Sequence, residues 1–203
     1  MAESIPCDVV ILPDVNLANA AIKSSQALKQ HGGLFILEDG KFYPHSSLYM
    51  FQLKNDALEN VKELLADIAS RYTKLELKAT QFDHTLGFVD AEYARTAELD
   101  NLQLEVITAL NPIRDGMREK DKARMQDATG LSLQNFERYG YKYVGELFRP
   151  HLTLSRLSDQ QPESLTALGE CELYNGNFTK LGLFEMGDNG TCIRKISEWQ
   201  LKI

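Results

Sequence analysis

The chain has 203 residues, with 29 acidic against 22 basic side chains and a net charge of −7. This balance excludes the broad basic face that a long nucleic-acid groove requires. Apolar residues make up 43% and charged residues 25%, ordinary for a globular protein with a real core and of a length suited to one unit with two lobes. Cys7, Cys171 and Cys192 are scattered without CxxC spacing, so reduced thiols and a cytosolic setting are expected; no signal peptide or membrane-spanning run is recognisable.

The first element predicted is a buried strand, CDVVILP at 7–13, rich in β-branched residues and ended by Pro13. A helix follows over 16–31, stopped by Gly32-Gly33. Residues 34–38 and 46–53 flank an Asp-Gly pair at 39–40 and read as a hairpin. The spacing of Leu58, Val61, Leu64, Leu65 and Ile68 predicts an amphipathic helix over 56–72. A second strand pair is expected at 75–82 and 85–91, then a helix over 93–110 stopped by Pro112.

Residues 113–130 are polar, dense in mixed charge and nearly without apolar periodicity, so they read as an exposed connector between lobes. Short helices near 132–139 and 162–168 follow. The chain ends in strands near 170–178, 180–187 and 191–203, the last two joined as a hairpin by GDNG at 187–190. Mixed helices and hairpins place the fold in the α+β class with antiparallel sheet.

One phrase occurs twice. FYPHSSL at 42–48 and FRPHLTL at 148–154 share F-x-P-H-x-[S/T]-L in one register, half the chain apart, and they hold two of the four histidines. This is the mark of an internal duplication that delivers one histidine from each half. Side chains alternate along a strand, so His45 and Ser47 share a face, as do His151 and Thr153, while Leu48 and Leu154 anchor the other face. Proline before each histidine suits the first residue of a strand.

Two opposed imidazoles suit phosphodiester chemistry without a metal. One neutral ring accepts a proton from the attacking oxygen while a protonated ring supplies one to the leaving oxygen. The hydroxyls of Ser47 and Thr153 are suited to donate to phosphate oxygens. Packing alone asks for Phe, Pro and Leu, not for a histidine and a hydroxyl on one face.

The pair HSSL (45–48) and HLTL (151–154) resembles the 2H phosphoesterase superfamily, whose bacterial members are often labelled 2′-5′ RNA ligases. The resemblance extends to length and layout over nearly the whole chain, although only the two motifs are specific. It implies a bilobal fold of two pseudo-symmetric α+β lobes around a central cleft, with neither metal nor nucleotide cofactor. It also implies phosphodiesterase activity on 2′,3′-cyclic phosphates of nucleotides or RNA ends, sometimes with 2′-5′ ligation. Carried over, His45 is the acid, His151 the base, and Ser47 and Thr153 the phosphate holders. The expected partner is a nucleotide or RNA end, and the expected state a monomer. Two rivals stand beside this reading: a non-catalytic nucleotide- or RNA-binding module, and a hydrolase of cyclic-nucleotide signals.

Other residues carry weaker signals. Tyr49 shares the parity of His45 and Ser47, so it either stacks on a base or ribose or fills the core or its rim. Arg149 shares the parity of His151 and is placed to meet phosphate, whereas Arg156 has the opposite parity and is expected outside the cleft. RYGYKY at 138–143 is either an RNA-stacking surface or a packed loop. His31, at a helix end, and His84, without a hydroxyl two positions on, read as structural.

Overall fold

The computed structural model describes residues 4–158 and 162–203. Strands β1 (Ser4–Pro13) and β2 (Ser46–Lys54) are separated by helix α1 (Val15–Leu28). Helix α2 (Leu58–Ala69) leads to β3 (Leu75–Leu77) and the hairpin of β4 (Ala79–Thr85) with β5 (Phe88–Tyr93). Helices α3 (Ala97–Leu110), α4 (Glu119–Met125) and α5 (Gly130–Tyr139) precede β6 (His151–Arg156), and β7 (Gly176–Met186) and β8 (Cys192–Gln200) follow. One antiparallel sheet runs β2-β1-β7-β3 with β8 also on β7, and the other runs β4-β5-β6. The fold is α+β and bilobal, with one histidine motif at the edge of each sheet.

β1 is central because its whole apolar run is covered on both faces. Cys7, Val9 and Ile11 enter the main core, while Val10 and Leu12 turn to the other face and pack with Phe184 and Cys192. Asp14 caps α1 by accepting from the N–H groups of Asn16 and Leu17, both at 3.0 Å, and Thr96 caps α3 through the N–H of Leu99. The apolar stripe of α2 is buried at Val61, Leu65 and Ile68, as its spacing required.

Several boundaries differ from expectation for identifiable reasons. Residues 34–38 form no strand. Asp39-Gly40 makes its turn within the Glu38–Phe42 bridge, and β2 leaves to pair with β1 instead. The freed backbone of this segment is satisfied locally: Leu37 N–H donates to Ser25 Oγ at 2.8 Å, and Ser155 Oγ donates to the Phe35 carbonyl at 2.9 Å. The strand expected at 75–82 splits between the two sheets, β3 joining β7 and β4 joining β5. Leu86 and Gly87 close the β4–β5 hairpin with positive φ, and the Leu157 carbonyl would lie 2.5 Å from a Cβ at position 87, so only glycine fits there. The helix expected near 162–168 is a 3₁₀ turn. Cys171–Tyr174 is also a 3₁₀ turn, and one continuous β7 takes the place of the two strands expected near 170–178 and 180–187, ending in the expected hairpin with β8.

The charged segment 113–130 is not simply an exposed connector. It holds α4, and two of its ionic side chains are buried: Arg118 donates through Nε to Asp121 Oδ2 at 2.7 Å and its Nη1 lies 2.9 Å from Met186 Sδ on β7. A buried internal ion pair, which apolar periodicity cannot register, holds Arg118 against Met186 on β7. Asp121→Ala strands Arg118 in this low-dielectric position and should cost about 3–5 kcal/mol, read as a shifted urea midpoint at constant slope.

Candidate active site

Each motif sits at the edge of its sheet and carries the same irregularity. In β2 the register with β1 runs Val10↔Ser47 and then Val9↔Tyr49, leaving Leu48 without a partner. In β6 the register with β5 runs Asp90↔Thr153 and then Val89↔Ser155, leaving Leu154 without a partner. The extra residue in each strand reverses the alternation beyond it. Buried Gln103 on α3 meets the consequence in the first lobe, its Nε2 donating to the carbonyls of Leu48 at 3.1 Å and Tyr143 at 2.8 Å.

The reversal overturns two expectations about parity. Tyr49 faces the core rather than the cleft: it is fully buried, stacked on Phe51 at 5.2 Å, and its hydroxyl donates to the Tyr139 carbonyl at 2.7 Å. Arg156, expected outside, stands opposite Phe88 on the face that carries Asp90 and Thr153. Its guanidinium covers the Phe88 ring at 4.8 Å and donates to Asn189 Oδ1 at 2.9 Å, in the turn between β7 and β8. A residue of the second lobe thus meets the first lobe beside His45, whose ring the Gly190 backbone contacts.

The imidazoles are held alike. His45 Nδ1 bonds the Tyr43 carbonyl and His151 Nδ1 bonds the Arg149 carbonyl, both at 2.7 Å. A carbonyl only accepts, so Nδ1 carries the proton and Nε2 is the nitrogen left for chemistry in each neutral ring. His151 is among the groups that hold the pKa of His45 down, after burial.

Carboxylates that the motifs do not name lie behind both pairs. Ser47 Oγ donates to Asp8 Oδ2 at 2.6 Å, and Thr153 Oγ1 donates to Asp90 Oδ1 at 2.7 Å. Asp8 Oδ2 is 3.8 Å from His45 Nε2, and Asp90 Oδ2 is 4.0 Å from His151 Nε2. In the free protein both hydroxyl protons therefore point to carboxylates. The acids occupy non-equivalent positions. Asp90 is directly opposite Thr153, whereas the residue opposite Ser47 is Val10 and Asp8 reaches it from two positions earlier.

The surroundings of the two acids differ as well. Arg149, expected to meet phosphate, is occupied by carboxylates: it bonds Asp90 at 2.7 Å, Asp83 at 3.1 Å and, more closely, Glu92. Burial works against the Arg149 charge, but Asp90 and Glu92 more than offset it and hold its pKa up. Asp8 has no hydrogen-bonded cation. Burial pushes its pKa up to about 7, only partly opposed by the Ser47 hydrogen bond and the more distant Arg118. Burial likewise pushes His45 down to about 4, helped by His151 and opposed by its bonds to Tyr43 and Gly190. Burial thus raises the proton affinity of Asp8 and lowers that of His45.

His84 is opposite Val89, on the face away from Asp90. His31 ends the turn before Gly32. In RYGYKY, Arg138 and Tyr139 end α5, and Tyr141 beyond them is buried edge-on against Tyr49 and Tyr143. Among the described residues, one group could hold a metal ion: Asp8, His45 and Cys192. Asp8 and Asp90 escaped the sequence reading, although each was an acid within an apolar strand segment, the signal of a group buried for a purpose.

This architecture is shared with solved structures. Escherichia coli LigT matches over its full length in the apo form, with TM-score 0.60 and 11% identity over 100% of both chains. Its complex with 3′-AMP gives 0.57 and 14%, covering 99% of this chain and 100% of that one. A protein described as a phosphoesterase gives 0.57 and 14% over 99% and 100%, and a Thermus thermophilus protein 0.59 and 12% over 98% of each chain. Identity this low speaks to fold alone, and the fold is one shared with LigT and with the protein described as a phosphoesterase. The chain belongs to the family DUF1045, described as a protein of unknown function, whose model matches residues 50–173 and so includes the second motif. No curated protein matches the sequence. No helix among the described residues is long and apolar enough to cross a membrane.

The raised pKa of Asp8 has a thermodynamic signature. Between about pH 4 and about pH 7 the folded chain keeps a proton on Asp8 that the unfolded chain has released, so this group lowers stability as pH rises through that window. His45 acts oppositely, its contribution being full above its unfolded pKa of 6.5 and lost as pH falls towards about 4. Asp8→Asn removes the first slope and keeps the second. The Tm of the variant should gain on the wild type steadily between about pH 4 and about pH 7 by calorimetry.

Proposed function

We propose that the chain is a phosphoesterase that opens 2′,3′-cyclic phosphates of nucleotides or RNA ends by two-histidine acid–base catalysis, without a catalytic metal. The observation that carries this reading is the matched presentation of two Nε2 atoms, each fixed by an Nδ1–H bond across a proline, with the two rings close enough to feel one another's charge. The 3′-AMP bound to LigT, on the same fold, supports a nucleotide-sized phosphoester as ligand.

In the proposed reaction His151 Nε2 takes the proton of the attacking water as its oxygen bonds phosphorus. The bond from phosphorus to one ribose oxygen breaks, and His45 Nε2 delivers a proton to that oxygen. Burial disfavours the charged form of His45, so its acid role needs a proton source. Asp8 supplies one: a phosphate anion arriving beside His45 favours the imidazolium and draws the shared proton from carboxyl to ring. Arg156 supplies the cation that an acidic chain otherwise lacks here. Its hydrogen-bond partners are neutral, the Leu86 carbonyl and Asn189, so its charge remains available to the substrate.

A panel of 2′,3′-cyclic, 3′,5′-cyclic and 2′-5′-linked substrates tests the reading. Turnover confined to the 2′,3′-cyclic class supports it, with His45→Ala or His151→Ala each slowing kcat by roughly 10²–10⁴-fold while circular dichroism is unchanged. Hydrolysis of 3′,5′-cyclic nucleotides alone would favour the signalling hydrolase. Binding without turnover of any of them would favour the non-catalytic module.

The proton source has its own test. The alkaline limb of kcat/KM against pH should fall near the value of about 7 set by Asp8, and Asp8→Asn should move it to lower pH, because the buried ring must then hold its proton alone. Arg156→Ala should raise KM roughly tenfold with a smaller change in kcat, the loss of one charge-assisted contact.

A further inference from the structure

The cleft face of the first lobe holds a chemistry that proton transfer does not use. Asp8, His45 and Cys192 come from three separate segments, β1, the turn before β2 and the start of β8. One ligand atom of each lies within 4.8 Å of the others, and all three residues are buried. Asp8 Oδ2 accepts from Ser47, but Oδ1 is buried without a hydrogen-bond partner on a side chain of 0% exposure. A wholly buried, unpartnered carboxylate oxygen is costly unless something charged meets it. His45 donates Nδ1–H to a backbone carbonyl and leaves Nε2 towards Asp8, the orientation that metal-ligating histidines adopt. The Cys192 thiol completes a set of one oxygen, one nitrogen and one sulfur.

We propose that Asp8, His45 and Cys192 form a site for one borderline-soft divalent cation of the zinc class, and that occupancy blocks the catalytic histidine. Mixed nitrogen, sulfur and oxygen donors select such ions over magnesium or calcium, which prefer oxygen alone. Zinc–ligand bonds of about 2.0–2.3 Å need the cluster to close by roughly 1 Å. A carboxylate, a thiolate and a neutral imidazole around a dication sum to zero charge, which suits a buried place. Binding is a ligand exchange with no change of oxidation state. The Cys192 thiol gives up its proton, as does Asp8 where it holds one, so affinity rises with pH. The cation occupies the Nε2 lone pair and His45 can then neither hold nor deliver a proton. The second lobe does not repeat the site, because Arg149 already balances Asp90 there. The inhibitory consequence rests on the proposed phosphoester chemistry; the binding does not.

The test uses the full chain, freed of metal by a chelator. Zinc is titrated against a chromogenic competitor and cobalt is followed through its thiolate charge-transfer absorption. One equivalent of zinc is expected, undisturbed by excess magnesium or calcium, with the cobalt band present. Cys192→Ser should weaken zinc at least tenfold and remove the band, and Cys192→Ala should do the same should the serine variant fold poorly. Zinc should inhibit cyclic-phosphate turnover of the wild type and spare that of Cys192→Ser, whose basal rate should be unchanged. An inactive wild type that still binds zinc through Cys192 would retire the enzymatic reading and keep the site. No stoichiometric binding, or binding and a cobalt band unaltered in both Cys192 variants, would overturn the proposal.

Discussion

The site depends on one residue too many in each motif strand. Without the unpartnered Leu48 and Leu154, regular alternation would put Tyr49 beside Ser47 and Ser155 beside Thr153, setting core side chains against the cleft. The extra leucine lets each strand change faces midway. Its first part presents a histidine and a hydroxyl outward, and its remainder turns Tyr49, Phe51 and Leu53 inward in the first lobe, while in the second Ser155 turns inward to bond the Phe35 carbonyl. The same device brings Arg156 to the cleft, where it bridges to Asn189 and ties the second lobe to the hairpin behind His45. The placement of the motif side chains and their packing are thus settled by a single local irregularity, used twice.

The duplication is close enough to repeat the histidines and loose enough to separate their environments. Both rings are oriented by the same bond to the carbonyl two residues back, a contact the intervening proline helps to fix by restricting its φ. The acids behind them come from different register positions and meet different partners. Asp90 is paired with the Arg149 guanidinium, while Asp8 is left with a hydroxyl and a thiol for company. Two titratable pairs in unlike surroundings are what a reaction needing one acid and one base requires.

Much of this was legible in the sequence and the remainder was hidden for physical reasons. The repeated phrase identified both histidines, both hydroxyls and both leucine anchors, because each is written directly in a local pattern. The amphipathic helices and the final hairpin were equally local. Tyr49 and Arg156 were misplaced because parity carries across a strand only while the register is unbroken, and nothing in HSSL or HLTL announces the extra residue. Residues 34–38 looked like a strand by composition, yet Ser25 and Ser155, far apart in sequence, satisfy that backbone instead. Asp8 stood in view within CDVVILP, but only the structure shows that the polar neighbour it meets is Ser47 and the thiol near it is Cys192, from opposite ends of the chain.

Asp8 also shows why such a site is kept despite its cost. A neutral side chain of similar size would spare the fold the desolvation that lifts this carboxyl to about 7. What a neutral residue cannot do is hold a proton near neutrality next to a ring that burial keeps deprotonated. The same burial that depresses His45 raises Asp8, so a single apolar enclosure produces both halves of a proton reservoir. In the proposed reaction the arriving anion draws that proton from carboxyl to ring. On that proposal, the stability given up at Asp8 is coupled to the charge of the arriving substrate.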